Sequence, residues 1–112
     1  MTSQTIRRTL KGTIEFCQDS GLYYLTYGNI LISLTEAEYY VFEHYLFSID
    51  IALWQEHNKA HQHEKFIPIP TKQGNLSLLF DEDDIYQLKL LFLGESARFL
   101  NINQMRIDYI PN

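Results

Sequence analysis

Residues 22–42 read LYYLTYGNILISLTEAEYYVF, and they decide the fold. Leu22–Tyr27 and Ile30–Leu34 are two runs of strand formers separated by Gly28-Asn29. Two apolar runs around a two-residue Gly-Asn break predict a β-hairpin. Thr35 follows directly, with Glu36 and Glu38 behind it. A threonine at the N-cap and a glutamate at N3 form a capping box, and acids suit the positive end of a helix. A helix therefore starts near Glu36. No Gly or Pro interrupts it before Asn58, so one continuous helix to Asn58–His61 is expected.

Working outward, a matching unit lies 46 residues downstream. NILISLTEAEYYVFEHYL (29–46) aligns without a gap with NLSLLFDEDDIYQLKLLF (75–92). Asn29/Asn75, Glu36/Glu82 and Tyr40/Tyr86 are identical, and Thr35 aligns with Asp81 as a second N-cap. Phe66–Pro70 (FIPIP) is extended, because each proline fixes its own φ and biases its predecessor toward β. Two prolines make it an edge strand. Gly94 is placed to stop the second helix. The expected fold is α+β: two ββα repeats forming an antiparallel sheet with two helices packed on one face. The expected domain is single and spans 1–112. Within it, 1–12 is an arm, either flexible or packed at an edge, 13–60 and 66–94 are the two units, and 95–112 is a C-terminal extension that ends in a strand through Met105, Ile107 and Tyr109.

The chain has 112 residues, enough for one core. Apolar residues make up 46% of it and aromatics 14%, too many for a disordered segment. Nine Lys+Arg against 14 Asp+Glu give a net charge of −5, which argues against a nucleic-acid partner. Cys17 is the single cysteine, so an internal disulfide is excluded and a reducing, cytoplasmic compartment is expected. No apolar run reaches the length of a membrane span, and the N-terminal residues lack a secretory core.

From Tyr39 to Trp54, 12 of 16 residues are apolar, more than one buried stripe requires. On a continuous helical wheel Tyr39, Phe42, Tyr45, Leu46, Ile49, Ala52 and Leu53 form the core face. Tyr40, Phe47, Ile51 and Trp54 form a second ridge. An exposed ridge of this kind marks an interface, most simply of a homodimer or with another protein. Cover by the C-terminal Phe99, Leu100, Ile102, Met105 and Ile107 is the alternative.

Few residues point to chemistry. His57, His61 and His63 have spacing that could chelate a metal, but no H-E-x-x-H or Cys pair completes a site. A solvated helix end explains them better, and no metal or cofactor is expected. Asp81–Asp84 reads as helix-start acids, and Cys17 has no base beside it. No phosphate-cradling loop and no G-x-S-x-G are present. The expectation is a non-enzymatic interaction or regulatory module that self-associates through the first helix. The alternative is a small-ligand or metal-binding protein using His57, His61 and His63.

GLYYLTYGNILISLTEAEYYVF (21–42) and FIPIPTKQGNLSLLFDEDDIYQLKLLF (66–92) resemble a small family of uncharacterised proteins from Bacteroidota. The resemblance covers roughly residues 13–93. It implies two strand–strand–helix units, and it implies no activity and no site residues. Some such relatives carry further cysteines near the N-terminus. This chain has Cys17 alone, so no metal role follows from the resemblance.

Overall fold

A computed structural model describes residues 3–94. Along the chain run β1 (Ser3–Arg8), β2 (Gly12–Cys17), β3 (Leu22–Tyr27), β4 (Ile30–Leu34), α1 (Glu36–Ser48), α2 (Ile51–Asn58), β5 (Ile67–Pro70), β6 (Ser77–Phe80) and α3 (Glu82–Leu93). The class is α+β. The six strands divide between two sheets: an antiparallel sheet in the order β1-β2-β3-β4, and a separate β5–β6 hairpin. Helices α1 and α3 pack against one face of the larger sheet.

The local expectations around the hairpin and caps hold at atomic detail. Tyr27 pairs with Ile30 across Gly28-Asn29, and Gly28 adopts φ +57°, a backbone open to glycine. The Glu38 N–H donates to Thr35 Oγ1 at 3.2 Å while the Thr35 N–H donates to Glu38 Oε1 at 2.9 Å. Asp81 and Asp84 repeat this at α3, at 2.8 and 3.0 Å. Gly94 ends α3 at φ +58°, and a Cβ there would overlap the Arg7 side chain.

Two expectations need correction. Over the described part of 1–12 the arm is edge-packed and not flexible: Ser3–Arg8 form an edge strand on β2. An outermost strand faces partly into water, so its polar side chains cost nothing, and Ile6 packs on the core. The continuous helix from Glu36 also fails. It stops at Ser48, Ile49 and Asp50 are extended, and α2 begins at Ile51. The Ser48 hydroxyl donates to the Tyr45 carbonyl at 2.7 Å, and Asp50 caps α2 by accepting the Leu53 N–H at 3.0 Å. Met105, Ile107 and Tyr109, with the rest of 95–112, lie outside the described residues.

The core runs from sheet to helices through stacked rings. Tyr23 of β3 stacks on Tyr39 of α1 with centroids 4.4 Å apart, and Tyr39 and Phe42 both meet Phe92 of α3, at 5.2 and 5.4 Å. Each such pair adds about 1 kcal/mol beyond its area. Ile14, Leu25, Leu46, Ile67, Ile85 and Leu91 close around them.

Beneath this core sits a polar tie. Asp84 is only 5% exposed. It accepts from the Tyr27 hydroxyl at 2.8 Å and from Lys65 Nζ at 2.6 Å. Lys65 also reaches Asp81 at 3.0 Å. Burial opposes the charged form of Asp84, but Lys65, the Asp81 N–H and the Tyr27 hydroxyl outweigh it. Its carboxyl lies below the ordinary range. Burial, and then the bond to Asp84, raise the Tyr27 phenol, while the bonds to Asp84 and Asp81 raise the Lys65 ammonium.

A carboxyl whose folded pKa is depressed stabilises the fold above its unfolded pKa, near 4, and loses that contribution as pH falls through the folded value. Urea midpoints measured from pH 6 downward should therefore fall from about pH 4. Asp84→Asn should cost about 2 kcal/mol at pH 7 and flatten that fall.

Candidate functional site

The broken helix resets the phase of every residue after Ser48. A wheel advances 100° per residue only while the backbone is helical, and Ile49 and Asp50 are not. Ile49 and Ile51 therefore both enter the core, at 3% and 2% exposure. Leu53, expected inside, is 61% exposed. Phe47 and Trp54 are half-buried against the core, and Tyr40 is exposed. The ridge Tyr40–Phe47–Ile51–Trp54 is thus not a continuous outer seam. The alternative cover by Phe99 to Ile107 lies outside the described residues.

His57 stands on α2, while His61 and His63 follow in a turn held by Asn58, which exchanges hydrogen bonds of 2.9 and 3.0 Å with the backbone of His63. Their rings form an exposed row, with centroids 5.6 Å apart for His57–His61 and 5.9 Å for His61–His63. Among the described residues no three His, Cys, Asp or Glu side chains are grouped to hold a metal ion. The acids at the start of α3 have partners of their own. Asp83 meets Lys11 at 3.2 Å, and Glu82 accepts from Gln55 at 2.9 Å.

Two buried groups could carry chemistry by type. Cys17 is buried at the end of β2, and the Ser20 hydroxyl and N–H beside its sulfur hold the thiol below its usual value. Lys89 on α3 is fully buried, and burial pushes its ammonium down to about 8. The two stand on different elements, and neither lines the cleft described next.

The feature that the wheel could not show is an apolar cleft of about 390 Å³. Ile32 and Leu34 of β4 form one wall. Val41, Phe42 and Tyr45 of α1 form the floor, and Ile69 and Leu78 of the hairpin form the far wall. Across the mouth, Lys72 pairs with Glu38 at 3.1 Å. The Tyr45 hydroxyl donates to the Pro68 carbonyl at 3.3 Å, which fixes β5 against α1.

The cleft runs along the outer edge of β4, the last strand of its sheet. A two-residue turn makes Tyr27–Ile30 a hydrogen-bonded pair, so by alternation Leu25–Ile32 and Tyr23–Leu34 are bonded too. The N–H and C=O groups of Leu31 and Ser33 consequently point away from β3. Among the described residues no hydrogen bond satisfies them. Other edges carry the devices that normally prevent pairing. The outer strand β1 has a register shift between Thr5 and Arg7 and two arginines. On β5, Pro68 and Pro70 remove two donors, and β6 is only four residues long. Ile30–Leu34 (ILISL) has no charge, proline, glycine or bulge.

Over the described residues these features define a small α+β module with a split sheet and an unguarded edge beside an apolar cleft. A model described as "Family of unknown function (DUF6686)" matches residues 1–112, and the chain belongs to that family. No curated protein and no solved structure matches it. Among the described residues no helix is long and apolar enough to cross a membrane.

Burial separates the four ridge residues by stability. Ile51→Ala should lower the unfolding free energy by about 2–4 kcal/mol, while Tyr40→Ala should stay within about 1 kcal/mol. Chemical denaturation of both variants checks this, and equal costs would contradict the placement.

Proposed function

We propose that the chain is a protein-interaction module and not an enzyme, and that it receives an extended polypeptide along β4. One observation carries this reading: among the described residues, the outward backbone groups of Leu31 and Ser33 have no hydrogen-bond partner, and they lie beside the apolar cleft. Strand addition uses both features. Main-chain bonds supply affinity, and pockets for alternate side chains supply selectivity. Ile32 and Leu34 share the cleft with Ile69 and Leu78, so an added strand would rest every second side chain on apolar walls. Val41 and Leu31, 69% and 66% exposed, flank the same edge and would lose water on binding. A single cysteine suits a reducing compartment, and we place the module in the cytoplasm on that ground.

A labelled eight-residue peptide of alternating valine and threonine tests the reading by fluorescence anisotropy. Ser33→Pro removes an outward N–H that no described residue accepts, so the protein should remain folded while binding weakens at least about tenfold. Leu79→Lys, on β6, should bind like the unaltered chain. No binding, or binding indifferent to Ser33→Pro, contradicts the reading.

A further inference from the structure

We infer that the strand received by β4 is β4 of a second copy of this chain. The inference rests on β4 being an acceptor edge, and it adds the partner and the register. β4 has five residues, and its outward-facing groups sit at Leu31 and Ser33, symmetrically about Ile32. An antiparallel partner related by a two-fold axis through Ile32 matches itself with no slip. The Leu31 N–H donates to the C=O of Ser33 of the partner subunit, and the N–H of Ser33 of the partner subunit donates to the Leu31 C=O. The axis repeats both bonds. The two four-stranded sheets become one continuous sheet.

Side chains fit the same symmetry. Ile32 faces Ile32 of the partner subunit as a close, non-hydrogen-bonded pair on the cleft side. An apolar residue thus closes the open flank of each cleft. Leu31, on the opposite face, lies beside Ser33 of the partner subunit and loses much of its exposure. Charge does not oppose the approach, although each copy carries −5. β4 has no charged residue, and the charges at the cleft mouth, Glu38 and Lys72, neutralise each other within one copy. The other edges lack this self-match: a bulge interrupts β1, and prolines take the donors from β5.

Sedimentation equilibrium of the whole chain reads the outcome. The expected mass is twice the 13.3 kDa of one chain at roughly 100 µM. Leu31→Lys and Ser33→Pro should each raise the dimer dissociation constant at least about tenfold, with unchanged circular dichroism. Ile32→Cys should form an intermolecular disulfide on mild oxidation, because close pairs of this type bring Cα atoms to about 4.5 Å. A monomeric wild type, a dimer indifferent to both edge variants, or no cross-link from Ile32→Cys would each overturn the inference. If the chain is monomeric yet binds the alternating peptide in a Ser33-dependent way, self-pairing falls and the acceptor edge stands. If it does neither, both fall.

Discussion

One buried carboxylate holds the two halves of this molecule together. Asp84 belongs to the cap of α3, yet it also takes the hydroxyl of Tyr27 at the end of β3 and the ammonium of Lys65 just before β5. A carboxylate withdrawn from water is tolerable only when such partners compensate it. The second sheet, the third helix and the base of the first sheet are thereby fixed to one point. Removing the charge would loosen three elements at once, which is why a cap residue has consequences far beyond its own helix.

That tie anchors the hairpin at its base, and the Glu38–Lys72 pair and the Tyr45–Pro68 bond hold it farther along, against α1. Between these anchors the hairpin does not join β4. The prolines explain part of this. Pro68 and Pro70 cannot donate, so the β5 edge turns to α1 and accepts through the Pro68 carbonyl. Among the described strands β4 is left as the terminal one of its sheet, with apolar walls on its inner side and exposed Leu31 on the other. An edge without a charge, bulge or proline is one that natural sheets normally avoid exposing. Its presence gives the interaction reading its physical content.

The sequence made the local features legible. Thr35 and Asp81 announced both helix starts because a cap needs only a few neighbouring residues. Gly28-Asn29 announced the hairpin for the same reason, and the order of strands and capped helices pointed to the α+β class. The helix break was harder. Ser48 and Asp50 are ordinary on a helix surface, and Asp50 reads as a cap only once the chain is seen to turn there. The assumed continuity then displaced every later residue, sending Ile51 outward and Leu53 inward on paper. β1 was missed because SQTIRR has one large apolar residue, and an edge strand needs no more. The cleft could not be read at all. Its walls come from β4, α1 and the hairpin, which only tertiary packing brings together.

The most direct measurement is residue-resolved amide hydrogen exchange across β4 as a function of protein concentration. Ile30, Ile32 and Leu34 donate to β3 and should be protected at every concentration. Leu31 and Ser33 should exchange fast in dilute solution and slow progressively as the concentration rises. Exchange at Leu31 and Ser33 that ignores concentration, whether fast throughout or already slow when dilute, would contradict the account.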